Sequence, residues 1–396
     1  MTSFAQLLNK PFTCSCGRKH TISIEHIALN DRLPPLNQLC IDYLKGKKLF
    51  IVSDATIWSV MGKGVTAKFA KGGFKISHFL FDNTKVKPDE KALGQLLMNL
   101  PVDTNGLVAV GSGTITDLVR YAATITNRPF ISVPSAPSMD GYASSVSSLI
   151  YNGRKTTYKG KNAFAIAGDV SIIAEAPQDL VQAGFGDIIG KKIAISDWLL
   201  SYMLNDEYYC HYAASLVKSS TDLCIRNVSA ITHSELDGIH SLMEALVLSG
   251  LAISLVGNSR PASGTEHLLA HYFESAFIKA GKAPVYHGMA VALGTLCATH
   301  FYQYVLDTSA FASLNLSEEK KHVLRDQVPS VREVETWLEG IGLSKNPLDY
   351  KIEKTLLEEA LLKARYTRDR YTILSFAAEH GLLEKAVCHV VREMYV

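Results

Sequence analysis

The sequence predicts an α/β protein in two parts, a nucleotide-binding α/β domain over residues 1–178 and an all-α helical domain over residues 179–396. Three observations carry this expectation. Short apolar β-type runs alternate with helical stretches before residue 180, which is the pattern of a parallel sheet with covering helices. After Pro177 the hydrophobic pattern turns almost wholly helical, as a bundle requires. A chain of 396 residues also exceeds what one hydrophobic core usually organises.

The elements follow in order. Lys48–Val52, His78–Phe81, Leu107–Val110, Phe130–Val133 and Val170–Ile173 read as strands, each a short apolar run. Ile188–Leu204, Leu236–Val256, Glu266–Ala280 and Gly288–Tyr304 read as long helices, with further helical segments towards the C-terminus. Gly, Pro and Asn separate them. No internal repeat, heptad run or low-complexity segment is present.

Composition narrows the function classes. Hydrophobic content of 47% and charged content of 20% are those of an ordinary globular protein. A net charge of +2 argues against a nucleic-acid surface. No apolar stretch is expected to reach the roughly 20 residues that span a bilayer. Met1 to Lys10 lacks a basic segment followed by an apolar core, so no secretion signal is expected. Seven scattered cysteines, an odd number, point to a reducing cytoplasm rather than a disulfide framework. Cys14, Cys16 and His20 could contribute to a small zinc site, but the sequence offers no evident fourth ligand, and a reduced turn ahead of the first strand is the plainer reading.

Two loops suit a phosphorylated ligand. Leu107–Val110 leads into Gly111, Ser112, Gly113, Thr114 and Ile115, and then into a stretch that can start a helix. Glycines let the backbone approach a pyrophosphate, and a helix N-terminus offers free N–H groups and a positive dipole. Thr116 stands where the third glycine of G-x-G-x-x-G would be, so an ordinary strand-to-helix turn is the competing reading. After the next strand, Ser135, Ser138, Asp140 and Ser144 lie in a polar loop with two prolines, either a ligand-holding turn or a capped helix start. Asp54 ends the Phe50–Ser53 run, placed to accept from an adenosine ribose hydroxyl or to act as an N-cap. A carboxylate there disfavours the 2′-phosphate of NADP, so NAD is the expected cofactor, with NADP possible.

Asp187, His267 and His287 resemble the ligand set of one catalytic divalent metal. One carboxylate and two imidazoles leave coordination positions open. The separations are too long for a compact finger, so tertiary folding must assemble the site. His271 lies four residues after His267 and shares its helix face, which alone would make it a rival ligand.

Five motifs occur in fixed order: G-S-G-T-I-T-D (111–117), V-P-S-A-P-S-M-D-G-Y-A-S (133–144), G-F-G-D-I-I-G-K (184–191), R-P-A-S-G-T-E-H-L-L-A-H (260–271) and H-G-M-A-V-A-L-G (287–294). With them the chain resembles the sn-glycerol-1-phosphate dehydrogenase family, of the superfamily shared by 3-dehydroquinate synthase, glycerol dehydrogenase and iron-containing alcohol dehydrogenases. The likeness runs from roughly residue 25 to Glu384 and includes Arg368 to Leu374.

That resemblance implies a dehydroquinate synthase-like fold and metal-dependent reduction of dihydroxyacetone phosphate to sn-glycerol 1-phosphate with NAD(P). It assigns Asp187, His267 and His287 to Zn2+ or Ni2+, and gives His271, with Asp140, to the substrate. Asp187 and His271 are then the expected catalytic residues. Ser135, Ser138 and Ser144 are expected near the nicotinamide, and Asp117 is expected to cap and orient the glycine loop. Lys159, Lys161, Lys191 and Arg260 stand near the motifs as candidate phosphate cations. A homodimer formed through the sheet domain is implied as well.

Two rival activities remain. A 3-dehydroquinate synthase-type lyase is expected to carry His-Gly-Glu where this chain has His287-Gly288-Met289. A glycerol or polyol dehydrogenase would act on an unphosphorylated substrate. A non-catalytic binding protein would be expected to lose a metal ligand, and none is lost.

Overall fold

The computed structural model describes residues 4, 7, 8, 10–40, 43–82 and 86–395. Much of Met1–Lys10, on which the expectation about a secretion signal rests, lies outside the described residues. The N-terminal half is built on a six-stranded, wholly parallel sheet in the order β3-β10-β7-β6-β4-β5. Its strands are β3 (His26–Asn30), β4 (Lys48–Asp54), β5 (Lys75–Phe81), β6 (Gly106–Gly111), β7 (Phe130–Pro134) and β10 (Ala165–Asp169). Every residue of β6, β7 and β10 is buried, which is why they read as continuous apolar runs rather than alternating ones. Helices α1 (Lys63–Lys71), α2 (Glu90–Asn99) and α3 (Gly113–Ile125) accompany the sheet.

Four of the five expected strands are present. The fifth is corrected: Val170–Ile173 lies in a short helix, Val170–Ala174, and the strand is the preceding Ala165–Asp169. The Asp169 carboxylate accepts the Ile172 N–H and so caps the helix start. The local cap outweighed the β-propensity of Val and Ile, while burial on both faces let the small residues Ala165, Ala167 and Gly168 serve as strand.

Two antiparallel hairpins stand outside the sheet. β1 (Phe12–Thr13) pairs with β2 (Lys19–His20), and β8 (Val146–Tyr151) pairs with β9 (Arg154–Lys159). The second turns through Asn152 and Gly153, with φ of 48° and 69°. An Asn-Gly pair is the residue choice such a two-residue turn favours.

From Gln178 onward the described elements are helical: α4 (Gln178–Asn205), α5 (His211–Arg226), α6 (Leu236–Val256), α7 (Thr265–Lys279), α8 (His287–Leu306) and shorter segments to Met394. Helix α6 has the composition and length of a membrane span, against the expectation that no stretch reaches that length. Of its most apolar window, 83% is buried inside the protein, so here it is a core helix.

Glycines set how closely these helices meet. A Cβ on Gly288 would overlap the Ala183 carbonyl, and one on Gly186 would overlap the Gly288 carbonyl. Helices α4 and α8 therefore touch backbone to backbone where Asp187 and His287 sit. A Cβ on Gly184 would strike the Pro137 carbonyl, so the same helix also seats the loop after β7.

Candidate active site

A cavity of about 200 Å³ opens between the carboxyl ends of the strands and the helices. Gly113 and Thr114 line one side, Asp140 and Ser144 the next, and His267, His271 and His287 the third. β6 and β5 flank β4 on opposite sides, so the chain reverses direction between β4 and β6, where open α/β sheets bind their ligands.

Tertiary folding brings Asp187, His267 and His287 together, with one ligand atom of each within 4.8 Å of the others. Asp187 lies in α4, His267 in the first turn of α7, and His287 begins α8. The His267 Nε2 to Asp187 Oδ1 distance is 3.3 Å. His267 donates Nδ1–H to Glu266 Oε1 at 2.7 Å, which also accepts the Gly264 N–H at 2.8 Å. His287 donates Nδ1–H to Glu274 Oε1 at 3.0 Å. Each imidazole is thus held at Nδ1 by a carboxyl, which leaves Nε2 as the free ring nitrogen, the arrangement that orients histidine ligands of a metal. The donor set fits one divalent cation with open positions.

Charge reinforces that geometry. Burial pushes the Asp187 carboxyl up, but the Lys191 ammonium and His267 outweigh it and hold Asp187 well below the usual range. Burial, with the Lys191 charge, holds His267 well below an ordinary imidazole. Burial and the Asp197 charge push Glu266 up to about 8. Lys191 Nζ lies 2.6 Å from Asp187 Oδ1, 2.8 Å from Asp140 Oδ2 and 3.1 Å from the Ala262 carbonyl. With three acceptors and full burial, Lys191 positions the two carboxylates and is not a phosphate cation.

His271 is turned differently. It donates Nδ1–H to Glu274 Oε2 at 3.1 Å and accepts from Arg368 at Nε2, 3.0 Å away. Burial, then the Arg368 charge, lowers its pKa to about 3, so it is a neutral hydrogen-bonding group. Asp140 accepts from Ser249 at 2.8 Å and donates its backbone N–H to Asp187 Oδ2 at 3.0 Å. The second loop is thereby fixed to the ligand cluster.

The cofactor candidates divide. Ser112 is the N-cap of α3, and Gly113 and Thr114 face the cavity, whereas the Ile115 side chain is core. Gly111 ends β6, and a Cβ there would press on Ile115. A Cβ on Gly113 would overlap Met139, so that position keeps the two loops in contact. Ser144 lines the cavity. Ser135 and Ser138, in the second loop, do not line the cavity; Ser138 bonds Tyr142 at 3.3 Å, and the buried Ser135 hydroxyl has no partner among the described residues. The Ser148 and Ser263 hydroxyls, which are also buried and unpartnered, belong to residues lining the cavity. Unpaired hydroxyls around a glycine turn fit a polar ligand there. Asp54 Oδ1 accepts the Ile57 N–H at 2.9 Å. Its N-cap role is therefore present, and Oδ2 takes no part in that cap.

Asp117 corrects an expectation. It lies inside α3 rather than at its cap, accepting from Arg120 at 2.6 Å and from the Ser148 N–H at 3.2 Å. Fully buried Arg120 donates onward to the Gly141 and Val146 carbonyls. This pair ties α3, the second loop and the β8–β9 hairpin into one wall.

The four cations chosen for nearness to motifs do not line the cavity. Arg260 is paired with Glu207, and Lys161 bonds Asn127 at 3.1 Å. The cations that do line it are Lys155 and Arg368. Lys155 meets Glu274 at 2.8 Å, and Arg368 donates to Thr157 at 2.9 Å. The Asn152-Gly153 turn was the signal that could have found Lys155 and Thr157, since it predicts the hairpin carrying both.

Known proteins resemble this chain over most of its length. A profile of the family described as iron-containing alcohol dehydrogenase matches residues 29–177. A Bacillus licheniformis protein named glycerol-1-phosphate dehydrogenase (NAD(P)+) is 34% identical over 93% of each chain. The protein of that name from Methanosarcina barkeri is 32% identical, over 89% of this chain and 90% of its own. Among solved structures, glycerol dehydrogenase from Schizosaccharomyces pombe superposes with a TM-score of 0.66 at 16% identity, covering 93% of this chain and 94% of its own. An iron-containing alcohol dehydrogenase from Thermococcus thioreducens gives 0.69 at 14%, covering 93% and 98%. At such identities these two speak for the fold.

Proposed function

The chain belongs to the glycerol-1-phosphate dehydrogenase family, and we propose that it interconverts dihydroxyacetone phosphate and sn-glycerol 1-phosphate with NAD(P) and a divalent metal ion. The observation that carries this reading is one cavity lined by His267 and His287, which cluster with the buried Asp187, and by two cations, Lys155 and Arg368. The cavity is smaller than the roughly 300–1,000 Å³ of pockets for drug-sized ligands, and suits a triose phosphate.

Asp187, His267 and His287 hold the ion, which when bound supplies a Lewis acid for the substrate oxygen. Glu266 and Glu274 keep the histidine Nε2 atoms free of protons by accepting at Nδ1. Neutral His271, its Nδ1–H held by Glu274, turns its Nε2 lone pair to Arg368 and so positions that guanidinium beside the substrate, and Asp140 receives the hydroxyl end. Arg368 and Lys155 take the phosphate, a planar fork and a point charge. Residues 1–178 hold the cofactor: Gly111 to Ile115 receive the pyrophosphate, with Ser135, Ser138 and Ser144 on the nicotinamide side and Asp54 Oδ2 at the ribose, favouring NAD. Residues 179–396 hold the metal and substrate.

Oxygen and nitrogen donors of this kind accept Zn2+, Ni2+ or Fe2+, with Zn2+ or Ni2+ preferred here. The seven free cysteines suit a reducing cytoplasm. The product is the backbone of an ether or unusual glycerophospholipid, and a homodimer through the sheet domain completes the reading.

The test is oxidation of NADH and NADPH by the metal-loaded protein with dihydroxyacetone phosphate, beside the Asp187→Asn and His267→Ala variants. Metal retention and turnover should be lost together in both. A metal-free variant that still turns over would refute the site.

A further inference from the structure

A second cluster of metal-ligating side chains lies apart from the cavity. Cys14 and Cys16 stand in the turn of the β1–β2 hairpin, and His20 ends β2. The fourth member, Cys210, comes from 190 residues further along the chain, where it is the N-cap of α5. One ligand atom from each lies within 4.8 Å of the other three. Cys14, His20 and Cys210 are buried, and the surroundings include Trp198, Val217 and Val256.

The spacings decide what this cluster is. The Cys14 Sγ to Cys210 Sγ distance is 3.8 Å, and His20 Nε2 lies 3.5 Å from Cys210 Sγ and 3.3 Å from Cys16 Sγ. A tetrahedral zinc ion with Zn–S of about 2.3 Å and Zn–N of about 2.0–2.1 Å places sulfurs roughly 3.8 Å apart and sulfur from nitrogen roughly 3.5 Å apart. A disulfide would bring two sulfurs to about 2.05 Å.

The surrounding groups are those a zinc–thiolate centre needs. His20 donates Nδ1–H to the Leu255 carbonyl at 2.8 Å, so the tautomer leaves Nε2 as the ligand. The Tyr208 hydroxyl donates to Cys16 Sγ at 3.1 Å, and the Ala213 N–H to Cys210 Sγ at 3.5 Å. These donors, with the Arg18 guanidinium over the Tyr208 ring at 3.4 Å, face the one negative charge that three thiolates and Zn2+ retain. Gly17, at φ 83°, lets the chain turn between the two cysteines and the histidine.

We propose that Cys14, Cys16, His20 and Cys210 bind a structural Zn2+ ion that fastens the N-terminal hairpin to α5 and the end of α6. Four protein ligands close the coordination sphere, so this ion does no chemistry on substrate. It shares no residue with the Asp187 site.

The test uses full-length protein, metal-saturated and then exchanged with Co2+. The wild type should hold about two ions per chain and show the near-ultraviolet thiolate-to-cobalt charge-transfer band, which oxygen and imidazole ligands cannot produce. Cys210→Ser and Cys16→Ser should each lose about one ion and that band, keep turnover, and melt at lower temperature. As a measurement needing no variant, thiol titration of native wild type should release about three more reactive thiols after chelation. Saturation at one ion, absence of the band, titration unchanged by chelator, or a Cys14–Cys210 disulfide in protein purified without added oxidant would each overturn the proposal.

Discussion

At the scale of single residues, the cavity owes its chemistry to carboxylates placed behind imidazoles and to two cations facing them. Arg368 is the residue whose removal should separate phosphate recognition from chemistry. A charge-assisted hydrogen bond contributes about 1.5–3 kcal/mol, so Arg368→Gln should raise KM for dihydroxyacetone phosphate roughly 10- to 100-fold. Steady-state kinetics should show turnover of unphosphorylated dihydroxyacetone unchanged or improved. An equal loss with both substrates would place Arg368 elsewhere in the mechanism. Titration gives a second prediction. His267 and His271 are held below the ordinary imidazole value, His271 at about 3. The unfolded chain binds protons near pH 6.5 that the folded chain refuses, so stability is present above that pH and is lost as the pH falls towards 3. Each histidine contributes a slope of up to about 1.4 kcal/mol per pH unit in that window. Denaturant unfolding of chelator-treated protein at pH 7 and pH 5 should therefore show a decline that His271→Gln makes shallower. An identical slope in the variant would show that His271 is protonated in the folded protein.

At the scale of elements, glycines position the ligands. Gly288 follows His287, Gly186 precedes Asp187, and each lets one helix touch the backbone of the other. Gly288→Ala would push its methyl group into the Ala183 carbonyl, a backbone neighbour that cannot rotate away. Overpacking of this kind costs about 1–3 kcal/mol, and displacement of His287 should weaken metal retention further than stability. Metal content and melting temperature measured side by side test this; a variant with normal metal content and activity would show that the contact is slack. The same scale explains what could be read beforehand. Leu236–Val256 was legible to its ends because its apolar run stops at Gly257, which adopts φ 80°. Val170–Ile173 misled because β-branched residues sat just after a capping aspartate. The β8–β9 hairpin went unread although Asn152-Gly153 announces it, and with it went Lys155 and Thr157.

At the scale of the whole molecule, the donor cluster Asp187–His267–His287 and the two loops lining the cavity were legible because each carries a local motif. What escaped was whatever depends on distant partners. Cys210 gives no sign in sequence of the hairpin it meets, and Lys191 resembles a phosphate cation until burial shows it saturated by two carboxylates and a carbonyl. Glu274 links His271, His287 and Lys155 from three different elements, a role visible only once they have folded together. On the proposed reading the substrate lies with its phosphate at Lys155 and Arg368 and its carbonyl towards Asp187, His267 and His287. With NAD(P) held at the glycine loop as proposed, hydride would be transferred to a single face of that carbonyl. The handedness of the product is therefore the central claim. The most direct measurement reduces dihydroxyacetone phosphate with NADH and offers the product to a dehydrogenase specific for sn-glycerol 3-phosphate. The account predicts that the product is refused and is recovered as sn-glycerol 1-phosphate; consumption of the product by that enzyme would contradict it.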